Sequence, residues 1–358
     1  MRFLCRLLTV VLLLSWGCCL AEEAPEFFEA PKQITVTFTG DCTLGCDPRE
    51  RGKETGFEYY ISQYGYEYPF ALVRELFSED DVTVVNLEGT FHDSDAGQQK
   101  KTYNFRGPSD YAAILPLSSI EAVSLGNNHT MDYGEAGFIS TANALEKNGV
   151  AWFGNTECSE KTWIYEKDGV KLGFVSINIS YWWHEGKGLQ LKQTLADLKA
   201  AGCSAIIGCM HGGLEYKTHH ESNQEKLADA LLKNGADIVV GNHPHIIQGM
   251  RVQSGKTTLW SLGNFCFGGN SQVRSRPALV ARITLSFDES SRYLGHQVNL
   301  LPVHISGDAV QNDYQPRLVS GADAQKAIEA VRADSQPRKA VMPYVENVGA
   351  LQAFVPAQ

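Results

Sequence analysis

Gly235-Ala-Asp-Ile-Val-Val-Gly-Asn-His-Pro-His-Ile-Ile-Gln248 joins a short apolar run, residues 238–240, to two histidines two positions apart. An apolar run of this length bounded by glycine and polar residues reads as a buried strand. If the chain leaves that strand still extended, His243 and His245 point to the same side. Pro244 fixes its own φ and biases His243 towards extended backbone. Two imidazoles so placed suit a shared divalent ion. A polar loop that happens to hold two histidines has the same local sequence, so the rest of the chain decides between them.

The same pattern recurs outward from this stretch. Apolar runs at 33–39, 81–85, 120–125, 171–177, 204–210 and 257–262 each read as a strand ending in polar residues. They deliver Asp41, then Asn86 and Glu88, then Asn128 and His129, Asn178, His211 and finally Asn264. Helical periodicity is expected at 69–77, with proline in the first turn, and at 135–147, 189–200 and 221–233. Residues 46–68 read as a long loop over the site. Strands at 278–287 and 297–305 have no helix between them and suggest a second sheet packed on the first. Alternating strands and helices define an α/β fold. Its domain is expected over 33–310, followed by a polar tail, 311–358. That tail carries a helix at 322–332 and either covers an edge or hangs free.

Composition narrows the function. The chain has 358 residues, 43% hydrophobic and 20% charged, as a folded protein requires. Its formal charge of −10 excludes a typical nucleic-acid binder and disfavours a metal-free grip on a polyanion. Residues 1–21 combine Arg2 and Arg6, an apolar core at 7–14 and a small-residue end at Ala21. This is a signal peptide for export to the cell envelope or beyond, either cleaved or retained as an anchor. Residues 22–32 form an acidic, proline-containing spacer. Of nine cysteines, Cys5, Cys18 and Cys19 belong to the leader. No Cys-x-x-Cys pair is present, and Cys209 and Cys266 sit in apolar runs where a buried thiol is expected.

Ligands of open α/β sheets bind off the carboxyl ends of strands. Asp41, Glu88, Asn128, His129, His211, His243 and His245 all fall there. Carboxylate, amide oxygen and neutral imidazole suit one or two ions of Mn, Fe, Zn or Mg. Such ions bind phosphate-like centres and activate water. His129, beside Asn128, is then free to protonate a leaving group; otherwise it is a histidine hydrogen-bonded in a strand-to-helix turn.

Six motifs carry a resemblance: Gly40-Asp41, Asn86-Leu-Glu88-Gly, Asn127-Asn-His129-Thr-Met-Asp132-Tyr-Gly134, His211-Gly-Gly-Leu-Glu215-Tyr216, Gly241-Asn-His-Pro-His245 and Ser261-Leu-Gly-Asn264-Phe. In this order, over roughly residues 33–305, they resemble the CapA/PgsA family of bacterial capsule synthesis proteins linked to poly-γ-glutamate. That family is similar to calcineurin-like metallophosphoesterases. The resemblance therefore implies a four-layer α/β/β/α sandwich of the metallo-dependent phosphatase type. It implies Asp41, Glu88, Asn128, His211, His243 and His245 as metal ligands, with Glu88 at the bridging position and His129 as general acid. Asp132 either orients His129 or caps the next helix. Asn86, Glu215, Tyr216 and Asn264 are expected to face substrate. Two departures stand out: the phosphoesterase Asp-x-His is Asp41-Cys-Thr43 here, so a histidine ligand is missing, and the bridging aspartate is replaced by Glu88 in a different local setting.

The implied activity is metal-dependent hydrolysis or transfer at a phosphoester or γ-glutamyl amide. The expected partner is an anionic polymer or a phosphorylated small substrate, alongside other capsule-synthesis membrane components. The competing reading is a non-catalytic surface protein that holds the polymer during export.

Overall fold

The opening strand, Lys32–Thr43, shows how this sequence makes layers. Its alternation sends Ile34, Val36 and Phe38 into a core shared by two sheets. In Val82–Leu87, Val82 and Val84 join that core, while Val85 and Leu87 face helices on the outside. Val170–Asn178 repeats the division, with Leu172 and Phe174 inward and Val175 and Ile177 outward. Strands apolar on both faces need cover on both sides, which is why the sequence reads as continuous apolar runs. The computed structural model describes residues 31–155 and 161–358. The leader, the spacer as far as residue 30, and Cys158 lie outside them; Lys32 already belongs to the first strand.

The first sheet runs, edge to edge, through Arg317–Leu318, Tyr293–His304, Pro277–Phe287, Lys32–Thr43, Val82–Leu87, Ala122–Ser124 and Ala151–Phe153. The second runs through Met250–Gln253, Lys256–Leu259, Ile238–Asn242, Ala205–His211, Val170–Asn178 and Trp163–Lys167. Helices Phe57–Tyr64 and Gly134–Lys147 cover the outer face of the first sheet, and Lys187–Ala200 and Ser222–Asn234 that of the second. Fully burying each Val, Leu, Ile or Phe is worth ~1.5–3 kcal/mol. The inter-sheet core is therefore the main adhesive between the layers.

Several expectations are corrected. Residues 46–68 are not one long loop: Phe57–Tyr64 is a helix that buries Phe57 and Ile61, four positions apart on one face. The helix expected at 69–77 is broken into a turn of 3-10 helix, Tyr68–Phe70, and a short helix, Arg74–Ser78. The break lets Phe70 and Phe77 both lie against Phe265, each with ring centroids 6.1 Å away.

The strands near 278 and 297 do not form the second sheet. They extend the first, antiparallel to the opening strand from Lys32↔Phe287 to Phe38↔Ala281. The residues after 310 do not hang free. Gly321–Ala333 buries Ala324, Ala327, Ile328 and Val331, and Ala350–Leu351 and Val355–Pro356 pair with Tyr293–His304.

One buried histidine ties the sheets together and gives the fold a pH signature. His296 is wholly buried, with Nε2 2.7 Å from Thr257 Oγ1 of the other sheet and Nδ1 2.6 Å from the Tyr293 hydroxyl. Burial pushes its pKa down to about 4. The unfolded chain thus takes up this proton near pH 6.5, before the native state does. Stability is full above that pH and is lost as pH falls towards 4. The expected loss is about 3 kcal/mol from this residue. Urea titrations at pH 7.5 and 4.5 should show a difference that shrinks by that order in His296→Gln; an unchanged difference would discard this account.

Candidate metal centre

The carboxyl edges of the two sheets meet at one place. In the first sheet, Asp41 is level with Asn86 on one neighbouring strand and with Asn264 on the other. In the second, Asn178, His211 and Asn242 are level. The approach of the opening strand to Gly263 needs a glycine. A Cβ on Gly40 would stand 2.0 Å from the Gly263 carbonyl oxygen, the same oxygen that accepts from the Asp41 amide at 2.9 Å. That contact sets Asp41 beside the strand Asn264–Phe267.

The histidines do not converge by strand alternation. His243 has φ of 101° and His245 of 60°, so the chain bends sharply after Asn242 instead of staying extended. Positive φ at a non-glycine residue costs ~1–3 kcal/mol and persists where surrounding structure enforces it. Nor do the two rings share one grip. Glu88, His211 and His243 offer ligand atoms mutually within 4.8 Å, and so do Asp41, Glu88 and His245. The bend places one histidine in each triad, and Glu88 belongs to both.

Distances in the first group suit a common ion. His211 Nε2 lies 2.6 Å from Asn128 Oδ1, 3.1 Å from His243 Nδ1 and 3.7 Å from Glu88 Oε1. In the second, His245 Nδ1 is 3.1 Å from Asp41 Oδ2. Donors ~2.1 Å from one ion at right angles stand ~3 Å apart. Glu88 supplies the sharper test. It is wholly buried, and neither carboxylate oxygen has a hydrogen-bond partner among the described residues. A buried carboxylate is ordinarily paired or bound to a metal. The donor set therefore fits two divalent ions sharing Glu88.

Electrostatics agree. Burial, and then the Asp41 carboxylate, push the Glu88 pKa well above its usual range. Burial and His245 push His243 down to about 4. Burial opposes protonation of His245, but Glu88 and Asp41 outweigh it and raise that group to about 9. The protein groups alone thus hold a proton where a cation would take its place.

The remaining site residues fall into distinct positions. His129 donates from Nδ1 to Asp132 Oδ2, 2.7 Å away, and turns Nε2 towards Glu88 Oε1 at 3.8 Å. Burial lowers the His129 pKa against the opposing pull of Asp132. Asp132 orients His129 and does not cap the helix: the cap position is Tyr133, without a side-chain cap, and Asp132 also takes the Phe105 amide and Lys101 Nζ. Glu215 is exposed at the rim, and Tyr216 lies with its ring 5.9 Å from that of His245.

Two residues expected to face substrate are buried among the candidate ligands. Asn86 is buried, donating to Asp41 Oδ1 at 2.8 Å, approaching His211 Nδ1 at 3.2 Å and accepting from Asn127 at 3.2 Å. Its amide is committed to holding ligands in place. Asn264 is also buried, with Oδ1 2.8 Å from His245 Nδ1. Thr43, standing where a ligand histidine is missing, instead donates from Oγ1 to the Glu88 carbonyl at 2.7 Å.

Sequence reasoning missed Lys101, which touches Asn128 O at 2.8 Å and His129 Nδ1 at 3.3 Å as well as pairing with Asp132. The one signal for it was a basic pair, Lys100-Lys101, just before an aromatic-rich segment in an acidic chain.

Two carboxylate–imidazole groups sharing one glutamate, on an α/β scaffold of two packed sheets, are arranged so that they could hold divalent metal. The chain belongs to the bacterial capsule synthesis protein PGA_cap family, whose model matches residues 35–269. It is similar to the PGA biosynthesis protein CapA of Bacillus subtilis (strain 168), at 24% identity over 76% of this chain and 72% of that protein. It is also similar to the capsule biosynthesis protein CapA of Bacillus anthracis, at 26% identity over 73% of this chain and 66% of that one. Among solved structures, purple acid phosphatase PPD1 from yellow lupin (Lupinus luteus) seeds aligns with 81% of this chain and 54% of its own, at a TM-score of 0.33 and 11% identity. The chain thus spans about half of that phosphatase.

Proposed function

We propose that this protein is an exported, metal-dependent hydrolase or transferase of capsule or poly-γ-glutamate biosynthesis. The observation that carries the reading is Glu88: wholly buried, without hydrogen-bond partners among the described residues, and common to both triads. Asp41, His245 and Glu88 would hold one ion, and Glu88, Asn128, His211 and His243 the other. Two such ions supply Lewis acidity that activates water and stabilises charge on a phosphoryl or tetrahedral centre.

The chain's own groups do the rest. Asp132, anchored by Lys101 and the Phe105 amide, commits His129 Nδ1 and leaves Nε2 to exchange a proton with the reacting group. Phe105 lies on the His129 ring, centroids 4.2 Å apart, and limits water on that side. Tyr216 lies beside His245, and the neighbouring Glu215 is exposed. The substrate class is a phosphoester or a γ-glutamyl amide, within an anionic polymer or a phosphorylated small molecule, in concert with other capsule-synthesis membrane components. Among the described residues no helix is long and apolar enough to cross a membrane. Attachment to the envelope, in this reading, rests on the leader.

The His129–Asp132–Lys101 chain favours catalysis over a protein that only holds polymer, which has no use for an oriented proton carrier. The test is metal analysis of the purified protein after reconstitution with Mn, Fe or Zn, joined to a screen of phosphoesters and γ-glutamyl amides. Metal-dependent bond cleavage is expected. No metal uptake, with His243→Ala changing nothing, would refute the reading. Polymer binding without turnover on any substrate would establish the holder instead.

A further inference from the structure

The missing histidine leaves the two ion sites unequal: one triad gains Asn128 as a fourth donor, and the other brings together Asp41, Glu88 and His245 among the described residues. We infer that Asn264 supplies the fourth ligand through Oδ1, in place of the histidine absent at Thr43. This inference rests on the two-ion reading above and assigns one further residue within it.

Three observations converge. The parallel pairing of Asn264–Phe267 with the opening strand makes Asn264 the direct register partner of Asp41, so both side chains start from adjacent positions at one sheet edge. Asn264 is buried, and its Oδ1 stands 2.8 Å from His245 Nδ1, which in turn is 3.1 Å from Asp41 Oδ2. The third is a parallel with the other group, where the amide oxygen of Asn128 stands 2.6 Å from the ligand nitrogen of His211. Each half of the centre then has the same logic: a shared carboxylate, an imidazole, and an amide oxygen packed against that imidazole. An amide oxygen is a neutral donor for hard or borderline ions. Replacing an imidazole by an amide oxygen keeps the ligand count and makes the site harder, favouring Mn or Mg over Zn.

A hydrogen bond alone, His245 Nδ1–H to Asn264 Oδ1, would instead make Asn264 an orienting partner outside the coordination shell. Such partners change metal affinity by ~10–100-fold and leave stoichiometry intact. The two roles are separable with Mn²⁺ as the sole probe, added to the metal-free full-length protein. Metal per chain is measured by mass spectrometry and ion–ion coupling by electron paramagnetic resonance. Wild type and Asn264→Asp are expected to bind two coupled ions, and Asn264→Ala one uncoupled ion with near-ultraviolet circular dichroism unchanged. Two coupled ions in Asn264→Ala would overturn the assignment while leaving the two-ion reading standing; failure of wild type to bind a second ion would overturn both. A crystal of the unaltered protein grown with Mn²⁺ decides independently of any variant. Asn264 Oδ1 at a bond length of ~2.2 Å from an ion supports the assignment, and an oxygen outside the coordination shell ends it.

Discussion

Glu88→Ala protein, reconstituted with Mn²⁺, is expected to lose both ions together. Every other ligand serves one half of the centre, whereas Glu88 reaches Asp41 and His245 on one side and His211 and His243 on the other. Changes to partners outside the coordination shell already weaken metal binding ~10–100-fold. Loss of the shared carboxylate should exceed the upper end of that range for both ions. Equilibrium dialysis reads this directly, with Asn128→Ala as the comparison that should weaken only one site. The fold should survive, because Glu88 contributes no side-chain hydrogen bond within the described residues whose loss would leave a partner stranded. Two ions held at wild-type affinity in Glu88→Ala would dismiss the bridging role.

The second large effect belongs to His129. Its replacement by alanine should lower turnover of any substrate found by ~10²–10⁴-fold, the usual contribution of a positioned proton carrier. Metal content should stay at the wild-type level, since neither triad contains His129. That combination separates proton transfer from ion binding, which a ligand substitution cannot do. The Asp132 carboxylate, wholly buried and paired to Lys101, explains why the ring is held in one orientation. A variant that loses metal in step with activity would show that His129 supports the ions and carries no proton.

Much of this centre was visible along the chain, and for a local reason. A buried strand is an apolar run, and a polar residue at its end interrupts that run conspicuously. Asp41, Glu88, His211 and the His243/His245 pair stand out in this way. Lys101 does not, because it lies in a connecting segment and gains meaning only from Asp132 and His129, some thirty positions on. Asn86 and Asn264 were seen, but not the side chains they touch. Both end strands, as ligands and substrate contacts do, and nothing local reveals that their amides turn towards Asp41, His211 and His245.

The amino-acid sequence by itself determined the α/β class, the strand ends that carry chemistry, the kinds of donor present and the absence of a histidine at Thr43. Periodicity and residue type are properties of a few consecutive positions, so they survive without a third dimension. Tertiary structure alone decided that the late antiparallel strands extend the first sheet, that the bend after Asn242 deals His243 and His245 to different groups, and that Glu88 lies in both. These depend on which strands become neighbours, and on close approaches such as Gly40 against Gly263 that no local pattern encodes. The same neighbour relation, Asp41 beside Asn264, places an amide oxygen at the position that the sequence had marked only by a missing histidine.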